Sequence, residues 1–118
     1  MAIKLSELKE LSGFIGACLV DSETGLMLAS ETSSVKFDLE AAGAANTEVV
    51  RAKNAAMKAL GLNDAIEDIL ITLGTQFHLI RPLANNPAVF VYVALDRAQS
   101  NLGLARIKVK AVEGTLKV

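Results

Sequence analysis

The sequence predicts an α+β fold: a three-layer α/β/α sandwich around one five-stranded antiparallel sheet, with elements in the order α-β-β-α-β-β-β-α. Three observations carry that prediction. Apolar runs at 14–20 and 26–30 flank the turn Asp21-Ser22-Glu23-Thr24-Gly25, a hairpin pattern with Gly25 placed for positive φ. A long alanine-rich stretch of helical period follows, and it is the only crossover between tight hairpins. Residues 88–95 are apolar at every position except the Tyr92 hydroxyl, which marks a central strand covered on both faces. Such a strand requires helices on both sides of the sheet.

Each element has a local reason. Ile3, Leu5, Leu8 and Leu11 fall near a helical period, so residues 1–11 read as a short helix that Ser12-Gly13 breaks. Within the first strand, Gly16 lets a neighbouring element approach closely. Residues 31–36 read as a polar connection, after which Asp38 is placed to cap a helix running to about Leu60 and ending at Gly61. Ala42, Ala45, Val49, Ala52, Ala56 and Leu60 trace one apolar face of that helix, beside a second stripe of Leu39, Gly43, Val50 and Met57. Most of these side chains are small, which suits close approach to a sheet or another helix.

A strand is expected at 66–73, carrying Glu67 and Asp68 in its first half, and a tight Gly74-Thr75 connection leads to another at 76–83. There Phe77, Leu79 and Arg81 alternate with Gln76, His78 and Ile80, and Pro82 suits the strand end. Asn85-Asn86-Pro87 reads as a turn. After 88–95, Asp96 is the expected cap of a last helix with Ala98, Leu102, Ala105, Val109 and Val112 on its inner stripe. Basic residues toward its C-terminal end suit the helix dipole.

Composition bounds what the chain does. At 118 residues it is one domain (1–118), long enough for a core that needs no metal or disulfide. A hydrophobic content of 52% is far too high for disorder. Twelve Lys+Arg against 13 Asp+Glu leave a net charge of −1, and aromatic residues are few, so a nucleic-acid surface is not expected. The single cysteine, Cys18, lies in an apolar run and reads as a small buried hydrophobe. No run approaches the roughly 20 apolar residues of a membrane span, and the first residues lack a signal-peptide core. A cytoplasmic protein is expected, with no membrane insertion.

Catalytic and cofactor signatures are weak. His78 is the lone histidine, with no Gly-x-Ser-x-Gly elbow to pair with it, and it reads as a solvent-facing strand residue. No phosphate loop is present, and the acidic turns lack EF-hand spacing. No catalytic residue, metal ligand or cofactor is expected. Arg51, Lys53 and Arg81 are candidate contacts for an acidic partner, although isolated surface cations usually do nothing specific.

The order of these segments resembles the Roadblock/LC7 (dynein light chain roadblock-type) family in its prokaryotic branch, a relative of the longin and profilin-like folds. The residues that carry the likeness are the opening segment Gly13-Phe14-Ile15-Gly16-Ala17-Cys18-Leu19-Val20-Asp21-Ser22-Glu23-Thr24-Gly25-Leu26, the long helix after Asp38, and the pair Ile69-Leu70-Ile71-Thr72 and Phe77-His78-Leu79-Ile80. The run 89–95 with Asp96, Asn101 and Leu102-Gly103-Leu104-Ala105-Arg106 completes it. The resemblance implies a homodimer in which the strand after the long helix joins its twin and the long helices meet across the axis. It also implies protein partners, such as dynein subunits or small Ras-like GTPases, notably the bacterial polarity and gliding-motility GTPase. The implied role is scaffolding or modulation of nucleotide turnover, with no catalytic centre.

Transferred to this chain, the expected dimer surface comprises Ala42, Ala45, Asn46, Val49, Val50, Lys53, Met57, Glu67, Ile69 and Ile71. The alternatives are a monomer whose edge strand is guarded by Glu67 and Asp68, a small-ligand-binding sensory domain with the same sandwich, and a small hydrolase centred on His78.

Overall fold

The computed structural model describes residues 5–33 and 36–118. Elements follow in the order η1 (Ser6–Glu10), β1 (Phe14–Asp21), β2 (Leu26–Thr32), α1 (Leu39–Ala59), β3 (Ile69–Thr72), β4 (Gln76–Leu83), β5 (Asn86–Asp96) and α2 (Leu102–Thr115), where η1 is a 3₁₀ helix. The strands of the described residues form one sheet in the order β2-β1-β5-β4-β3, antiparallel at every pairing. The doubly apolar strand β5 is its centre, as its composition requires.

The two faces of the sheet bury separate cores. Alternate residues of β1, β4 and β5 (Ala17, Leu19, Leu79, Val91, Val93, Leu95) meet Leu8 of η1 and Ala105, Val109 and Val112 of α2. The intervening residues (Cys18, Val20, Ile80, Phe90, Tyr92) meet Leu39 and Val50 of α1. Fully burying a side chain of this size contributes about 1.5–3 kcal/mol. The α/β/α sandwich follows from those two sets.

Helix α1 begins where Asp38 accepts from the Ala41 amide at 3.0 Å and ends before Gly61, whose φ of 71° suits the turn out of the helix. Its inner stripe is Leu39, Gly43, Thr47, Val50 and Met57. The stripe of Ala45, Ala52, Ala56 and Leu60 faces outward instead, with Leu60 71% exposed. Two glycines fix this choice. A side chain at Gly16 would come within 3.1 Å of Leu39, and one at Gly43 within 3.0 Å of Val20. The backbones of α1 and β1 therefore close on each other where no Cβ intervenes.

Several boundaries differ from expectation. The first helix is a single 3₁₀ segment, and the part of that expectation covering residues 1–4 lies outside the described residues, as do residues 34 and 35 of the polar connection. That connection is shorter than expected because Glu31 and Thr32 pair with β1. Strand β3 starts at Ile69, three residues late. Its register, continued backward from Ile69 opposite Ile80, would set Glu67 against Pro82, which has no N–H to donate. Pro82 itself lies within β4, and the turn that follows is Ala84-Asn85, with Asn86 and Pro87 already in β5. The cap of α2 is Asn101, accepting from Leu104 at 3.1 Å, whereas Asp96 accepts from Ala98 in the preceding turn. Ala98 thus lies before the helix, and the last turn of α2 holds no basic residue.

Candidate interaction surface

Helix α1 does not sit centrally on its face of the sheet; it lies over β1 and β2. Beyond the Gly16 and Gly43 contacts, Arg51 holds it there by donating to the Ser22 carbonyl at 3.0 Å and the Glu23 carbonyl at 2.9 Å, both in the first hairpin turn. The opposite flank of the helix, Ala42, Asn46, Val49 and Lys53, overlooks β3. The result is a groove. Its helix wall is made of those residues, and Ile69 and Ile71 on β3 are only half-buried beside it. At its lower end, Lys53, Met57, Leu62 and residues 64–69 line a cleft of about 310 Å³.

The ten residues expected from sequence fall into two groups. Eight are accessible: Ala42, Asn46, Val49, Ile69 and Ile71 half-buried, Ala45, Lys53 and Glu67 exposed. Val50 and Met57, 1% and 8% exposed, turn toward the sheet and already belong to the chain's own packing. Asn46 donates its side-chain amide to the Ala42 carbonyl at 2.7 Å, one turn back along the helix. Leu60, on the apolar face expected from sequence, is 71% exposed at the end of α1; Leu62, 52% exposed just past Gly61, extends that surface and was missed. Its position beside Gly61 was the available signal.

The charged residues proposed as partner contacts divide differently. Arg81 is committed inside the chain: its Nε donates to Glu113 at 2.9 Å and its guanidinium faces Asp68 at 3.6 Å. Arg106 of α2 adds a bidentate pair with Asp68 at 2.9 and 3.1 Å. Asp68 is thus a clamp between the approach to β3, β4 and α2, and it does not guard the edge. Arg51 is committed to the hairpin turn. Lys53 alone of the three has no partner among the described residues.

His78 is not a simple solvent-facing residue either. It stands edge-on between Phe37 and Tyr92, with ring centroids 6.3 and 5.3 Å away. Its Nε2 lies 2.7 Å from the Gln76 amide oxygen and its Nδ1 3.2 Å from the Tyr92 hydroxyl. With Nε2–H donating to Gln76, Nδ1 accepts from the Tyr92 O–H, and every partner is satisfied by the neutral ring. Burial lowers its pKa from the ordinary 6.5. Burial also raises the Tyr92 phenol, with Cys18 adding to it, and pushes the Cys18 thiol up to about 12. Among the described residues no three His, Cys, Asp or Glu side chains gather as metal ligands would. No helix among them is long and apolar enough to cross a membrane.

A single antiparallel five-stranded sheet, one long crossover helix on one face and a shorter terminal helix on the other define the Roadblock/LC7 fold, and this chain has it. In structure the chain is similar to an MglB solved in a tetrameric arrangement, at 17% identity with a TM-score of 0.80, covering 95% of this chain and 81% of that one. It is similar also to the gliding protein MglB of Thermus thermophilus (17% identity, TM-score 0.77, 93% and 80% covered) and to a Roadblock/LC7 domain of Streptomyces avermitilis (12%, 0.77, 92% and 87%). No protein-family model and no curated protein matches the sequence.

Proposed function

We propose that the chain is a non-enzymatic homodimeric scaffold or regulator that binds a small Ras-like GTPase or a related partner protein and modulates its nucleotide turnover. One observation carries the reading: the off-centre seat of α1, which leaves the groove beside β3 half-covered and a short edge strand unpaired. Val49, Ile69 and Ile71 pack against the core on this face yet stay only half-buried, and a second α1 laid across the twofold axis would cover them. The likeness to MglB proteins, one of them solved as a tetramer, supports self-association and a place among protein partners rather than substrates.

In this arrangement Ala42, Ala45, Asn46 and Val49 let the two long helices approach closely, and Ile69 to Thr72 pair with their twin. The outward alanine face of both helices then forms one continuous platform for the partner. On this reading the nucleotide belongs to that partner, and His78, held by Gln76 and the Tyr92 hydroxyl, serves the chain's own packing. Pull-down from the native host with GTP- and GDP-loaded lysate tests the partner class. Enrichment of a GTPase in one nucleotide state supports it, and recovery of no GTP-binding protein in either state rules it out. The competing sensory reading would need a ligand cavity. A cleft of about 460 Å³ beside Arg81 and Glu113 has those two charges already paired with each other.

A further inference from the structure

The sheet has two edges: β3, beside the seam proposed above, and β2 on the far side. The Ser33 amide donates to the Ile15 carbonyl at 3.1 Å. By antiparallel alternation Ala29 and Glu31 also turn their backbone groups toward β1. Ser30 and Thr32 turn theirs away from the sheet, where no described strand meets them. Native edges are commonly blunted by lysine, proline or a bulge. β2 has neither lysine nor proline. Its register shift leaves Leu28 as an extra residue between Met27 and Ala29, and the ladder from Ala29 to Thr32 is regular. Across that shift Met27 packs with the core under α1 and Ala29 with the core under α2. Leu26 and Leu28 stay 64% and 41% exposed.

Beside this edge lies a shallow pocket of about 330 Å³, lined by Gly25, Leu26, Met27, Glu40 and Ala44. Its one charged group is the Glu40 carboxylate. That carboxylate has no partner among the described residues, and neither has the Glu23 side chain in the hairpin turn. The cations that touch the hairpin are already committed: Arg51 to the Ser22 and Glu23 carbonyls and to Glu48, Lys9 to Glu31. The helix dipole favours an acid in the first turn of α1, but the apolar lining and the open backbone beside it are separate features. A second copy's β2 carries Glu31 as its only charge and would bring no cation to Glu40. An extended segment holding a lysine or arginine meets both needs. Its main chain matches Ser30 and Thr32, and an aliphatic stem ending in a cation suits the pocket.

We propose that β2 is a docking edge for an extended basic segment of a partner protein, which adds to the sheet as a strand and sets a lysine or arginine against Glu40. This edge lies opposite β3, so its occupancy is independent of the dimer. The test titrates the full chain with short capped peptides of alternating threonine and valine, followed by amide NMR. One has a central lysine, one a central glutamate, and a third is the lysine peptide N-methylated at alternate residues. The lysine peptide is expected to shift Leu26, Leu28, Ser30, Thr32 and Glu40, and to bind at least about tenfold more tightly than the glutamate peptide. N-methylation, which removes the donors of a strand pairing, is expected to abolish binding. Glu40→Gln, at an exposed position, should cut the preference for lysine to less than about threefold. Ser30→Pro, whose lost N–H faces solvent, should abolish binding while the chain stays folded. No saturable binding, equal affinity for the lysine and glutamate peptides, or undiminished binding after N-methylation would overturn the proposal. So would shifts confined to β3, or self-association lost in Ser30→Pro, which would assign the β2 edge to a second copy.

Discussion

The two faces of this sheet are finished to different degrees. On the α2 face, η1 and α2 close over fully buried residues of β1, β4 and β5, and the Asp68–Arg81–Glu113 chain ties β3's approach, β4 and α2 into one unit. On the α1 face, the helix is pinned over β1 and β2 by two glycine contacts and Arg51, and the half of the sheet near β3 keeps half-buried isoleucines. Each face buries a core of its own. The second carries the proposed seam, where apolar groups left partly wet would gain about 25 cal/mol per Å² on being covered.

Removing a piece of the closed face should show the largest effect. Arg81→Met leaves the buried Glu113 carboxylate without its cation while Asp68 keeps Arg106, and breaking such a pair costs about 3–5 kcal/mol. Urea unfolding followed by circular dichroism measures it. Next, Gly43→Val forces a side chain into the 3.0 Å gap against Val20, and overpacking of this kind costs about 1–3 kcal/mol. Because it also lifts α1, the same variant should weaken self-association, which a folded-state clamp mutation need not do.

The open face should respond in the reverse sense. Ala45→Glu places a charge on the exposed flank of α1, so monomer stability should change by less than about 0.5 kcal/mol while dimer affinity falls at least about tenfold. Denaturant midpoints and dilution-dependent sedimentation separate the two. The smallest effect is the pH dependence from His78. Its folded pKa is lowered, so the folded chain binds fewer protons than the unfolded chain just below the ordinary value of 6.5. Stability is therefore complete above that value, declines as pH falls toward the lower folded pKa, and levels off beneath it. His78→Gln should flatten that decline in pH-resolved unfolding curves.

Local signals made much of the architecture legible. The first hairpin, the Asp38 cap, the Gly61 stop and the alternation of Phe77, Leu79 and Arg81 against His78 and Ile80 each depend on residues a few positions apart. What failed depended on distant partners. Strand β3 looked like eight residues until Pro82 stood opposite Glu67 and Arg106, 38 positions away, captured Asp68. The two stripes of α1 could not be ranked by composition, because alanine tolerates either environment. Leu39 against Gly16 and Gly43 against Val20 decide the matter, and both contacts join α1 to a strand far from it in sequence. His78 looked solvent-facing for the same reason: Phe37 and Tyr92 arrive from other elements.

Whether two copies meet in the groove beside α1 and β3 is tested most directly by sedimentation velocity. The wild-type chain and Ala45→Glu are compared at matched micromolar concentration. A dimer is predicted for the wild type and a folded monomer for the variant; a wild-type chain that sediments as a monomer, or a variant that dimerises equally well, would contradict that meeting place.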